Sequence, residues 1–124
     1  MTTVSWQRAE NAVIAIAVIV TTLVLGYDWW WLLALFLAFD LSALGYLISP
    51  RAGAQAYNAV HSYWGPAVLA VVALTVDARW AGLLALAWAF HVAVDRALGY
   101  GLKEGDSFQH THLGWIGKGR HTPE

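Results

Sequence analysis

Cysteine is absent from the 124-residue sequence, which excludes disulfides, thiolate metal ligands and a cysteine nucleophile. Charge is scarce as well. Asp, Glu, Lys and Arg make up 12% of the residues and balance to a net charge of −1. A chain so neutral carries no basic footprint for nucleic acid. It also lacks the polar residues to cover a soluble domain of this size, whose surface-to-volume ratio is high. What is abundant is apolar: 59% of residues are hydrophobic and eight are tryptophan, which excludes disorder. The composition points to an all-α integral membrane protein, folded as a single membrane domain over 1–124.

Four apolar stretches set the organisation. A membrane span needs about 20 residues, at about 1.5 Å each, to cross about 30 Å of hydrocarbon. The pattern predicts helices near 10–27, 29–48, 57–76 and 79–99, in a four-helix bundle with a Gly-rich tail over 100–124. The first stretch is read as a retained helix, because Gly26-Tyr27-Asp28-Trp29 offers no small-residue cleavage site. The very short connections at Tyr27-Asp28 and Asp77-Ala78 make neighbouring helices antiparallel. Arg8, Arg51, Arg96, Lys103, Lys118 and Arg120 then fall on one side and Arg79 on the other. The positive-inside rule places both termini in the cytoplasm of a bacterial inner membrane, with the lipid bilayer as principal partner. Trp29, Trp30, Trp31 and Trp80 would mark the outer interface, and Trp6, Tyr46, Tyr57 and Tyr100 the inner one.

Ionisable residues inside spans cost about 2.5–3.5 kcal/mol each on insertion scales and usually face a bundle interior. Asp40, His61, His91 and Asp95 are such residues, and the topology draws all four to the cytoplasmic half of the bilayer. His91 and Asp95 are four apart and share a helix face. A His with a carboxylate there makes two metal ligands, or a base with its orienting acid. Pro66, which clashes with the carbonyl one turn earlier, is expected to free the Ser62 carbonyl beside His61. His110 and His112 in the tail could close over the cytoplasmic mouth. Ala81, Ala85, Ala89, Ala93 and Ala97 form an i,i+4 row on the last span, a surface for close approach of a neighbouring helix or of a second protomer in a homodimer.

Several blocks are familiar: Asp40-Leu-Ser-Ala-Leu-Gly-Tyr-Leu47, then Gly53, Tyr57-Asn58-x-x-His61 and Pro66, then His91-x-x-x-Asp95-Arg-Ala-Leu-Gly-Tyr-Gly-Leu-Lys103, and finally Phe108 with Thr111-His-Leu-Gly114 and Ile116. On these the chain resembles a family of small bacterial membrane proteins grouped as domain of unknown function 4260. The resemblance implies that His112 belongs to the family pattern. It implies no reaction. A His on one helix with His-x-x-x-Asp on another is also similar to small membrane metal-dependent hydrolases.

The leading expectation is a metal-dependent membrane enzyme. His61, His91, Asp95 and His112 are the candidate ligands, and Asp40, His91 and Asp95 the candidate catalytic residues, with Asp40 as base or further ligand. Asn58, Arg96 and Lys103 are the candidate substrate contacts. Three or four N/O ligands with an open position suit a divalent metal, zinc or iron. Hydrolysis or oxidation of a lipid or small apolar substrate would follow. The alternatives are a haem-binding redox protein with His61 and His91 as axial ligands, a proton or ion relay through Asp40, His91 and Asp95, and a structural membrane protein.

Overall fold

The computed structural model describes residues 1–39, 48–100, 110–111 and 114–115. Its order is α1 (Thr3–Val24), α2 (Trp30–Ala34), α3 (Pro50–Val60), α4 (Trp64–Thr75) and α5 (Arg79–Leu98), followed by the two-residue strands β1 (His110–Thr111) and β2 (Gly114–Trp115). The strands pair antiparallel, His110 opposite Trp115. Apart from this two-residue pairing, the regular structure of the described residues is helical, and the helical bundle expected from the sequence is what forms.

Local chemistry fixes the helix ends. Thr2 caps α1, its side chain accepting from the Ser5 N–H at 3.0 Å. At the other end Gly26 takes φ +79°, the left-handed conformation open to glycine. The Tyr27 N–H then reaches the Thr22 carbonyl and the Gly26 N–H the Leu23 carbonyl, both at 3.1 Å, which satisfies carbonyls that would otherwise be orphaned. Gly99, at φ +100°, closes α5 the same way, with Tyr100 N–H on the Asp95 carbonyl at 2.8 Å. Ser49 caps α3 and Pro50 occupies its first turn, where a missing N–H costs nothing.

α5 is the central element, with α1, α2 and α4 packed around it. α1 and α5 run antiparallel: Arg8 Nε donates to the Ala97 carbonyl at 3.0 Å at one end, and Arg79 Nη2 to the Leu25 carbonyl at 3.2 Å at the other. Tyr27 reinforces the second end by donating its hydroxyl to the Arg79 carbonyl at 2.8 Å beneath the guanidinium. Small residues make the packing close. Ala81, Ala85 and Ala93 of the alanine row on α5 are buried inside the chain, as is Ala87 on a neighbouring face. A Cβ on Gly65 of α4 would overlap the Trp88 indole of α5.

The buried stripe of α1 is Asn11, Ala15, Val18 and Thr22, whereas Val13, Ile16, Val20, Leu23 and Val24 face outward. α4 likewise exposes Val68, Val71 and Leu74. α1 and α5, with 22 and 20 residues, are long and apolar enough to cross a membrane.

The segment 57–76, read from the sequence as one span, is two helices. The break lies at His61–Tyr63, and Pro66 falls in the first turn of α4, where proline is tolerated. Of the segment 29–48, residues 40–47 lie outside the described residues.

Candidate metal centre

The helix break presents His61. At the end of α3 the last four carbonyls lack intrahelical partners, and each accepts from a side chain. Ser62 Oγ donates to Asn58 O at 2.6 Å, Trp64 Nε1 to Ala59 O at 2.7 Å, Trp88 Nε1 to Val60 O, and Arg96 Nη2 to His61 O at 3.1 Å. Two of the four donors come from α5. The end of α3 is thereby fixed against the helix that carries the other two polar residues.

His91 and Asp95 project from one face of α5 toward His61. The His61 and His91 Nε2 atoms are 2.8 Å apart, and Asp95 Oδ2 lies 3.2 Å from the first and 3.3 Å from the second. Both histidines are buried and Asp95 nearly so. His61 Nδ1 lies 2.9 Å from the Tyr57 carbonyl. A carbonyl only accepts, so Nδ1 carries the proton and Nε2 of the neutral ring offers a lone pair toward the cluster. This is the outer-shell hydrogen bond that metal-ligating histidines almost always make. Phe36 and Phe39 line the other side of His91, with ring centroids 4.2 and 5.7 Å away.

The three donor atoms lie within reach of one ion. Tetrahedral zinc with nitrogen and oxygen ligands at about 2.0–2.1 Å holds its donor atoms about 3.3 Å apart, which the two separations to Asp95 match, while the two imidazole nitrogens stand closer, at hydrogen-bond distance. The C-terminal end of α3 adds partial negative charge beside the cluster, which favours a cation there. The same triangle bears on haem. Axial nitrogens at about 2 Å from iron stand about 4 Å apart with the macrocycle between them, and 2.8 Å leaves no room for it.

Of the residues predicted from the sequence, the structure brings His61, His91 and Asp95 together. Arg96 is beside them, bonded to the His61 backbone. Asn58 stands in the last turn of α3, half-buried, its carbonyl taken by Ser62. Asp40, Lys103 and His112 lie outside the described residues, as does the side chain of His110. Besides Phe36 and Phe39, three residues that the sequence reading left out of the site belong to it. Tyr57 contacts both His61 and Asp95, and Trp64 and Trp88 cap the α3 carbonyls. Tyr57 had one legible signal, its i,i+4 spacing from His61.

Fold and site define a helical bundle, with two helices long enough to cross a membrane, around a buried His/His/Asp cluster able to hold a metal ion. The chain belongs to the family described as domain of unknown function (DUF4260), whose model matches residues 4–116 and so includes the whole cluster. No curated protein and no solved structure matches the chain.

Proposed function

We propose that this protein is a multi-pass membrane metalloenzyme whose divalent ion, zinc or iron, is held by His61, His91 and Asp95. The observation that carries the reading is the triangle of two imidazole Nε2 atoms and one carboxylate oxygen, buried and converging within reach of one ion. His112 is a further ligand candidate from the tail.

The membrane setting rests on α1 and α5 and on the outward-facing apolar residues. The antiparallel pairing of these helices brings Arg8 and Arg96 to one end, while Arg79 and Trp80 lie at the other. That asymmetry supports a cytoplasmic location for the end carrying the metal centre and for both termini. His91 is eight residues before Gly99, about 12 Å along α5, so the ion sits below the headgroups and a substrate reaches it from the bilayer. A lipid or small apolar molecule fits that approach and the aromatic wall of Phe36 and Phe39.

Hydrolysis is the favoured chemistry. Two histidines and a carboxylate with an open position are the ligand set of zinc hydrolases, in which the ion brings the pKa of a bound water to about 7. Asp40, next in sequence to Phe39 at the His91 ring, is the candidate base. Arg96, Asn58 and Lys103 are candidate contacts for the polar part of the substrate. The same ligand set with iron would support oxidation by dioxygen. The test is turnover in proteoliposomes. The zinc- or iron-loaded chain is expected to cleave fluorogenic lipid esters or amides, and His91→Ala to be inactive. Turnover that survives chelation and His91→Ala would overturn the reading.

A further inference from the structure

Tyr57 touches the ligand set in three ways. Its carbonyl accepts from both the His61 N–H (2.8 Å) and His61 Nδ1 (2.9 Å). Its ring lies flat on the His61 imidazole, centroids 3.7 Å apart and planes within 4°. Its hydroxyl donates to Asp95 Oδ2 at 3.4 Å, the same oxygen that faces both imidazoles. The residue is buried, at 5% exposure. A tyrosine packed only for its apolar bulk has no need to direct its hydroxyl at a ligand atom. A buried phenol does need a partner, and here the partner is the carboxylate.

The consequence concerns how Asp95 binds. A carboxylate can give an ion one oxygen or two. The hydroxyl of Tyr57 approaches Oδ2 from one side, while the two imidazoles face the same oxygen, so an ion seated between the rings meets Oδ2 along the direction the hydroxyl leaves open. The stack and the Nδ1 bond fix a second ligand, His61, in both tautomer and ring angle.

Resting on the metal reading above, we infer that Tyr57 is a positioning residue that holds Asp95 to one-oxygen ligation and so keeps the coordination number low, with a position left for substrate or water.

Cobalt(II) reports coordination number directly, because low-coordinate Co2+ absorbs the visible far more strongly than six-coordinate Co2+. The full chain in detergent is stripped, reloaded with Co2+ and compared with Tyr57→Phe, which keeps the ring stack and removes only the hydroxyl. Wild type is expected to bind one Co2+ per chain with intense visible bands. Tyr57→Phe should bind the same amount with weaker, blue-shifted bands and an unchanged melting temperature. Equal spectra at equal stoichiometry, or a six-coordinate wild-type spectrum, would overturn the positioning role and leave the metal centre standing. A folded wild type that takes up no Co2+ would overturn the metal reading itself. X-ray absorption of the wild-type zinc form is a second measurement that needs no variant. One carboxylate oxygen at bonding distance is expected, and two would contradict the inference.

Discussion

His61 Nε2 and His91 Nε2 stand 2.8 Å apart, contributed by two helices and 30 residues of separation in sequence. With Nδ1 of His61 protonated against the Tyr57 carbonyl, the His61 lone pair points at the His91 ring. Two lone pairs at that distance repel, so something positive must lie between or beside them: a proton on His91 or a metal ion bridging both rings. Asp95 completes a three-sided pocket for either. A divalent ion that binds only the folded chain should therefore stabilise it by about 2.7 kcal/mol at one hundred times its Kd. The expected outcome is a rise in melting temperature on adding Zn2+ to wild type and none for His61→Ala, read by thermal unfolding in detergent.

Arg96 acts on the centre through the backbone of His61. Arg96→Gln leaves the His61 carbonyl without its charged donor, and such outer-shell losses lower metal affinity about 10–100-fold. Competition with a chelating dye should show that drop, with stoichiometry retained near saturation and partial recovery in Arg96→Lys.

Gly65→Ala sets two effects against each other. Alanine gains about 1 kcal/mol of helix propensity. The new methyl group meets the Trp88 indole, and overpacking costs about 1–3 kcal/mol. Trp88 cannot swing away freely, since its Nε1 caps Val60. Net destabilisation is expected, together with weakened metal binding, because the same indole anchors the end of α3.

Tyr63 donates its hydroxyl to Asn11 Oδ1 on α1, and Asn11 is buried. Tyr63→Phe should cost about 1–3 kcal/mol, the penalty for stranding a buried acceptor, while metal stoichiometry stays at the wild-type value. The pair of measurements separates the support of α1 from the ligand set.

Asp40→Asn tests its assignment as base. Metal stoichiometry equal to wild type with turnover abolished is the expected result. Loss of metal would make Asp40 a ligand instead.

The central helix and the three residues of the cluster were legible in the sequence. His91 and Asp95 lie on one helix, and i,i+4 spacing is enough to place them on one face. The helix break was not legible. Its causes are tertiary: Trp88 and Arg96, far along the chain, supply the donors that let α3 end at His61. Local signals were weaker and drew attention to Pro66, which turned out to sit harmlessly in the first turn of α4. Tyr57 was read as an interfacial aromatic because composition cannot show that one side chain stacks on a histidine and also reaches an aspartate on another helix.

The most direct test is metal analysis by mass spectrometry of the purified full chain beside His91→Ala, prepared without chelator. About one zinc or iron per wild-type chain, lost in His91→Ala while the variant stays folded, is the expected result. A folded wild type that carries no metal and takes up neither ion on addition would contradict the metal centre and with it the proposed chemistry.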